Sequence, residues 1–261
     1  MSNRISRREF VISSAGIVSA SLAGCASLGG PNISEEEYPA GTSQDGITDP
    51  ATIVGSTRTA LANNGYDVKL EHDGTTLRFH SSLQDSRHYR KVGDADFANE
   101  VLLDEGMLYI KYETHSGYEY YTGKTERSFS DFHASNSYYR EDLPGDEEIL
   151  WANIIKHIRG YFLQNILEVS EFAPVQATDR SGRAVVEFEI ESVSQDAFDD
   201  TVTGSSGSLI VDPESVSRSV EIQVRTSSSG ETSTAENRRY QVQELGNTVV
   251  SRPSWVEEEF Q

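Results

Sequence analysis

The sequence predicts an α+β domain, built on a large antiparallel sheet with helices covering one of its faces. Many segments alternate apolar and polar residues with period two, and two others repeat apolar residues with helical spacing. Strict alternation is typical of strands with one wet face, which antiparallel sheets tolerate. The chain has 261 residues and one cysteine, so an apolar core rather than internal disulfides must stabilise it.

The first predicted element of the domain is a helix. Asp49 is a suitable N-cap, and Pro50 suits the first helical position. Asn63-Asn64-Gly65 supplies the stop signal. The apolar face of this helix comprises Ile53, Val54, Thr57, Ala60 and Leu61.

A run of strands is predicted after this helix. Tyr66, Val68 and Leu70 alternate with charged residues, and the dipeptide Asp73-Gly74 suits a tight hairpin turn. The alternation resumes beyond the turn. Further strands are predicted at Arg87–Val92, Asn99–Asp104, Met107–Glu113, Gly117–Thr122 and Glu126–Phe132.

A long amphipathic helix is predicted to interrupt the strands. Asp146, Glu147 and Glu148 favour its N-terminus because the helix dipole is positive there. We expect this helix and the first one to pack into the concave face of a large curved antiparallel sheet, a half-barrel. The apolar stripe of the long helix comprises Trp151, Ile154, Ile155, Ile158, Tyr161, Phe162 and Ile166.

Strands return after the long helix. Alternation is clear at Val186–Ile190, Val220–Val224 and Tyr240–Val242, and turns rich in Gly and Ser are predicted at Thr203–Gly207 and Thr226–Ser233. We therefore predict one domain over residues 49–261.

The N-terminus predicts export and lipid anchoring. Arg7 and Arg8 form a twin-arginine signature, and the short apolar run that follows ends in Leu22-Ala23-Gly24-Cys25, which resembles a lipobox. We expect residues 1–25 to be a signal peptide, with Cys25 lipidated on the outer face of the cell membrane. Residues 26–48 are small, polar and acidic, so we expect a flexible tether. Asn32 begins a glycosylation sequon on it.

Charge narrows the choice of partners. With 42 acidic and 22 basic residues, the formal net charge is −20, which disfavours nucleic acid and anionic headgroups because they carry the same sign. Acid excess with few lysines is similar to proteins of salt-loving archaea, whose self-repulsion is screened by molar salt. An acidic chain from an ordinary bacterium is the alternative.

The order of elements, with a lipobox first, resembles the LolA/LolB-like lipoprotein carriers. The strand–Asp–turn–strand unit Gly207–Val216 is similar to a segment of that superfamily, and Tyr240–Val256 resembles uncharacterised haloarchaeal lipoproteins of the same fold. The resemblance implies a half-barrel that encloses an apolar cavity, which in some members holds acyl chains. It implies no catalytic residue. This chain, unlike the freely diffusing carriers, is itself expected to be anchored.

Sequence motifs for catalysis or cofactors are weak. Gly117–Thr125 has five residues between its glycines where a phosphate-binding loop needs four, so we predict strand and turn. Gly204–Gly207 lacks the spacing of a nucleophile elbow. His72 and His80 flank the hairpin and would face each other in a zinc site, but both lie on the polar phase, so we expect solvated histidines. We expect no enzyme, cofactor or metal.

Two functional hypotheses remain. The first is a binding lipoprotein whose apolar cavity for an acyl or similar ligand is lined by Trp151, Ile154, Ile155, Ile158 and Phe162. The second is a structural or protein-interaction lipoprotein of the envelope, in which the same stripe simply fills the core. A minor alternative is a sugar or apolar ligand in a tyrosine-lined cleft. The tyrosines in question are Tyr109, Tyr112, Tyr118, Tyr120, Tyr121, Tyr138 and Tyr139.

Overall fold

The computed structural model describes residues 33–93, 98–114, 116–125, 129–134, 140–142, 148–150, 162–228 and 234–260. Within these residues eleven strands form one antiparallel sheet, in the order β11-β12-β13-β14-β15-β3-β4-β5-β6-β7-β8, and the sheet is not closed into a barrel. The large antiparallel sheet predicted from period-two alternation is therefore confirmed. Its strands are β3 (Gly65–His72), β4 (Thr75–Ser82), β5 (Arg87–Gly93), β6 (Ala98–Asp104), β7 (Met107–Thr114), β8 (Gly117–Lys124), β11 (Ser170–Arg180), β12 (Arg183–Val193), β13 (Thr201–Val211), β14 (Ser217–Ser227) and β15 (Thr234–Gly246).

Short elements accompany this sheet. The α-helices are α1 (Pro50–Asn63), α2 (Phe129–Ala134), α3 (Phe162–Val169) and α4 (Ser254–Glu259). Two small hairpins pair β1 (Thr42–Ser43) with β2 (Gly46–Ile47) and β9 (Arg140–Asp142) with β10 (Glu148–Leu150). Within the described ranges, no helix has the length and hydropathy needed to cross a membrane.

Helix α1 and the β3–β4 hairpin form where the local sequence signals predict them. The Asp49 carboxylate accepts hydrogen bonds from the backbone N–H groups of Ala51 and Thr52, and Pro50 is the first helical residue. In the turn between β3 and β4, Asp73 and Gly74 have φ angles of 46° and 87°. Positive φ at both central positions is the requirement of the tight turn that Asp-Gly favours.

One face of the sheet is apolar and shares a buried cluster with two helices. The face that carries Tyr66, Val68 and Leu70 of β3 is called here the apolar face; its cross-strand partners include Phe79 and Tyr240. The opposite face, with Asp67, Lys69 and Glu71, is called the charged face. Side chains of α1 and α3 belong to the same buried cluster as the apolar face, namely Ile53, Val54, Leu61, Leu163, Ile166 and Leu167. Hydrophobic burial on this one face supplies the main core.

The C-terminal segment covers part of the charged face. Trp255 and Val256 of α4 form a second buried cluster with Leu102 of β6 and with Val250. The Trp255 indole Nε1 donates a hydrogen bond to Glu100 Oε2 over 2.9 Å, and the Tyr89 hydroxyl donates to the same oxygen over 2.9 Å. Burial alone would raise the pKa of Glu100, but these hydrogen bonds, with Lys91 and Lys111 nearby, outweigh it and lower the pKa.

Three predicted elements, one strand and two turns, are corrected by the structure. Residues Phe129–Phe132 of the strand predicted at Glu126–Phe132 belong to helix α2, because the three-residue spacing of Phe129 and Phe132 suits a helix better than a strand. The predicted turn at Thr203–Gly207 lies inside β13, where its small residues pair with β14. The predicted turn at Thr226–Ser233 begins too early, since β14 continues to Ser227.

The long helix is also corrected at its start. Glu148–Leu150 form β10 rather than the first helical turn, and they pair with Arg140–Asp142. Helix α3 begins at Phe162, and Ile166 of the predicted stripe is fully buried in the main cluster. Trp151, Ile154, Ile155, Ile158 and Tyr161 lie outside the described residues.

The tether prediction is corrected for residues 33–48. A capping box joins Ser34 and Glu37 around a short 3₁₀ helix, and the β1–β2 hairpin follows it. At Gly46, whose φ is +107°, a Cβ atom would lie 1.9 Å from the carbonyl oxygen of Phe172 in β11. The β1–β2 hairpin therefore packs directly against the edge strand β11, a contact that composition did not predict.

Candidate functional site

The predicted cavity lining is represented in the described residues by Phe162. It begins α3, is half-buried against the main cluster, and its ring centroid lies 6.2 Å from that of His72 in an edge-on contact. Phe162 therefore sits where α3 meets the end of β3. The remaining four predicted lining residues, Trp151, Ile154, Ile155 and Ile158, lie outside the described residues.

The buried His133 side chain of α2 contacts the apolar face of the sheet. The His133 ring stacks on Tyr66, with centroids 5.2 Å apart, and on Phe129, with centroids 5.1 Å apart. Its Nε2 lies 3.1 Å from the Ala62 carbonyl oxygen, and its Nδ1 lies 2.7 Å from the Ser81 hydroxyl. A carbonyl only accepts, so Nε2 carries the hydrogen and the Ser81 hydroxyl can donate to Nδ1. His133 thereby joins α2 to β4 and to the last turn of α1.

Two further polar side chains of the apolar face are deeply buried. His88 lies on β5, and burial lowers its pKa to about 3, so the ring is neutral at ordinary pH. Tyr240 lies on β15, and burial raises the pKa of its hydroxyl. Neither His88 Nδ1 nor Tyr240 Oη has a hydrogen-bond partner within the described part of the chain. An unsatisfied buried polar group costs roughly 1–3 kcal/mol, so a hydrogen-bond partner at either atom would stabilise the fold.

The histidine pair considered for zinc is not formed. His72 pairs with Thr75 and His80 with Asp67, which places the two histidines on opposite faces of the sheet. The prediction that both lie on the polar phase is wrong for His72, which ends β3 on the apolar face, although its side chain is exposed there as expected. His80 does lie on the charged face, but it is half-buried and its Nε2 has no partner in the described part of the chain.

A different group surrounds His72. Its Nε2 lies 3.2 Å from Glu236 Oε1 and 3.4 Å from Asp73 Oδ2, and the three ligand atoms all fall within 4.8 Å of one another. Glu236 also accepts a hydrogen bond from Arg238, and Asp73 Oδ1 accepts one from the Asn237 backbone. These partners account for the cluster as an exposed network of ion pairs and hydrogen bonds at the strand ends.

A shallow depression of about 260 Å³ lies next to this network. Its lining is polar and carries both signs of charge: Glu71, Asp73, Gly74, Thr76, Glu221, Asn237, Arg238 and Arg239. Ligand sites for drug-sized molecules are usually about 300–1,000 Å³ and mostly apolar. This depression is therefore not the apolar cavity that the resemblance implies.

The tyrosines of the proposed cleft are divided between the two faces. Tyr109 and Tyr120 pack against the second buried cluster on the charged face, and Tyr118 is exposed there beneath Lys111. The alternation of β7 and β8 puts Tyr112 and Tyr121 on the apolar face. Tyr138 and Tyr139 lie outside the described residues. A single cleft lined by these tyrosines is therefore not formed in the described part of the molecule.

The two segments compared above with a phosphate-binding loop and a nucleophile elbow are parts of sheet strands. Gly117–Lys124 is strand β8, as predicted, and Gly204–Gly207 lies within β13.

A scan against protein-family models gives no match to the chain, and a search of the curated proteins finds no match either. The residues themselves must therefore carry the functional argument.

Proposed function

We propose that the protein is a lipid-anchored binding lipoprotein on the outer face of the cell membrane. In this proposal Arg7 and Arg8 direct export, Cys25 carries the lipid, and the domain holds an apolar or acyl ligand. The resemblance to LolA/LolB-like and haloarchaeal lipoproteins motivates it, as do the ordered motifs of the N-terminus.

The ligand site would lie between the apolar face and the helices. An antiparallel sheet of eleven twisted strands tends to curl, so we infer that it forms a half-barrel whose concave side is the apolar face. Helices α1 and α3 would then occupy the concavity. The observation that carries the proposal is one buried cluster joining these helices to strands from β11 to β7.

The ligand that fits best is an amphiphile rather than a pure hydrocarbon. His88 Nδ1 and Tyr240 Oη are buried polar atoms within an otherwise apolar surface, and neither is satisfied among the described residues. A carboxyl or ester group would accept the hydrogen bond that the Tyr240 hydroxyl offers, while the acyl chain packs on the surrounding aliphatic side chains.

Ligand binding is tested by substitution in the predicted lining. The protein purified from its own membranes is expected to carry a lipid detectable by mass spectrometry of an organic extract. Ile158→Trp should lower the lipid-to-protein ratio at least threefold, because it adds bulk to the lining. Val249→Trp, at a position 65 % exposed, is the matched control and should leave the ratio unchanged. Absence of lipid from the wild-type protein would refute the carrier function.

A structural or protein-interaction role is the second candidate. Leu163 and Ile166 of α3 are fully buried, as expected if the helical stripe fills the core instead of lining a ligand site. In that case Ile158→Trp would destabilise the fold, no lipid would be extracted, and partners would dock on the exposed surfaces.

Anchoring is tested separately from ligand binding. Cys25→Ser is expected to shift most of the protein from the membrane fraction to the medium, because the lipid is attached through this thiol. Fractionation followed by immunoblotting measures the change, with Ser27→Ala as a matched control that stays in the membrane. Retention of the Cys25→Ser protein as tightly as wild type would contradict the lipoprotein assignment.

A further inference from the structure

The two edges of the eleven-stranded sheet are not alike. Strand β11 has register irregularities at Glu171/Phe172 and Pro174/Gln176, and the β1–β2 hairpin packs against Phe172. Proline, bulges and covering segments are the devices by which proteins block pairing at a sheet edge. This edge is therefore protected against addition of another strand.

The other edge, β8, has none of these protections among the described residues. It pairs with β7 without a register shift from Met107↔Lys124 to Thr114↔Gly117, and it contains no proline. Most of its residues are exposed, including Tyr118 at 47 %. No described strand pairs with its outer side. An exposed edge strand of eight residues without a bulge presents backbone groups that another strand can pair with.

The charge at this edge favours association with another copy of the chain. The whole chain carries a net charge of −20, so most of its surface repels a second copy. The β7–β8 hairpin, in contrast, contains two lysines, Lys111 and Lys124, and two glutamates, Glu113 and Glu119. Its formal charge is zero, so two paired hairpins carry no net repulsion of their own. Glu258 and Glu259 of α4 lie close enough to act on Tyr120, and salt screens the repulsion that they add.

We propose that β8 pairs with β8 of a second copy of this chain, in antiparallel register about a two-fold axis at Tyr121. A two-fold axis at Tyr121 pairs Tyr121 with Tyr121 and Gly123 with Glu119, and the residues of each pair share a face, as alternation requires. The same register puts Lys124 opposite Tyr118. Within one copy, Lys111 Nζ lies 4.2 Å from the Tyr118 ring centroid, a cation–π contact of the kind that Lys124 of the second copy would add. The two sheets become one continuous sheet.

Position 123 offers a charge test that leaves the monomer undisturbed. A Cβ atom at Gly123 meets nothing within 4 Å, and its φ lies outside the left-handed region. Gly123→Glu places a carboxylate opposite Glu119 twice in each dimer, whereas Gly123→Lys places an ammonium there. Because like charges directly across a ladder are unfavourable and opposite charges favourable, the dimer dissociation constant should rise several-fold in the first variant and fall several-fold in the second.

Sedimentation velocity on the full chain carrying Cys25→Ser, at one salt concentration, measures these constants without the lipid. A concentration-dependent dimer with the two variants shifted in opposite directions supports the proposal. A monomer at every concentration, or a dimer indifferent to both variants, overturns it.

Cysteine cross-linking tests the register. In the Cys25→Ser chain, Tyr121→Cys adds the only thiol, and directly opposite residues have Cα atoms about 4.5–5.5 Å apart, within disulfide range. Thr122→Cys would be displaced from its counterpart and should cross-link poorly. Val175→Cys on the protected β11 edge is a second control. Cross-linking at Val175 rather than Tyr121 would overturn the proposed edge.

Discussion

Gly207→Ala is expected to lower the free energy of unfolding by about 3 kcal/mol, the upper part of the usual range for overpacking. A Cβ atom at Gly207 would lie 2.2 Å from the Glu221 carbonyl oxygen and 3.0 Å from the Ile222 Cα atom. Both atoms belong to the backbone of β14, which pairs with β13 at this point. Relief would require the two strands to separate, and their ladder continues on either side of the contact. Urea unfolding measures the loss.

Gly204→Ala is the matched control in the same strand. A Cβ atom there meets nothing within 4 Å. Replacing an unstrained glycine by alanine reduces the entropy of the unfolded chain, so stability should stay unchanged or rise by about 0.5 kcal/mol. Equal losses at both positions would show that the close approach at Gly207 is not the cause.

The same glycine explains why the turn at Thr203–Gly207 was predicted wrongly. Gly and Ser are typical of turns, and a sequence pattern does not reveal that a residue lacks a Cβ because a neighbouring backbone occupies that space. Strands β3 and β12 were predictable for the opposite reason. Their alternation is regular, so each side chain could be assigned to a face without knowledge of the pairing strand.

Helical periodicity also gave a wrong prediction for the residues that precede α3. Glu148–Leu150 carry acidic and apolar residues that suit a helix N-terminus, yet they pair with Arg140–Asp142. Pairing with another segment, even one only a few residues earlier in the chain, can override a local preference, because helical periodicity contains no information about the partner. Ile166, farther along the same stripe, was correctly expected to face the core, and it is fully buried.

Two buried polar groups without a partner among the described residues could not be identified from the sequence. Tyr240 and His88 are single polar residues on strands that alternate in the ordinary way, and sequence analysis selected neither for a site. They become informative only when the register brings Tyr240 opposite Leu70, and His88 opposite Ser81, within one buried face. The first of these pairings joins residues far apart in the chain. An alternation pattern can indicate that a polar residue lies on an apolar face. It cannot show that the polar atom lacks a hydrogen-bond partner.

The attachment of the C-terminal segment depends on Asp104 of β6, whose side chain is fully buried. Its Oδ1 accepts a hydrogen bond from Arg87 Nε over 2.6 Å, and its Oδ2 accepts one from Arg252 Nε over 3.0 Å. Burial alone would raise the pKa of Asp104, but the two arginines outweigh it and hold the pKa below its usual range. The ionised carboxylate therefore links β6, β5 and the segment that leads into α4.

Asp104→Asn should cost about 2 kcal/mol at pH 7, because the amide keeps the shape but loses the charge that pairs both guanidinium groups. The loss stays moderate since Arg87 and Arg252 remain partly exposed and can be hydrated. A folded-state pKa below the unfolded value, ordinarily about 3.9 for Asp, means that this contribution is complete above that value and is lost as pH falls through the folded pKa. The difference between wild type and variant should therefore shrink as the pH falls below the unfolded-state pKa and through the lower folded-state pKa.

Urea unfolding at pH 7 and at low pH, in the same salt concentration, measures this difference. Asp196→Asn, at an exposed position in the 3₁₀ helix Gln195–Ala197, is the control and should change stability by less than about 0.5 kcal/mol at either pH. If Asp104→Asn costs as much at low pH as at pH 7, the side chain acts through its shape and packing. A difference that disappears with acid identifies the ionised carboxylate as the group that fastens the C-terminal segment to the sheet.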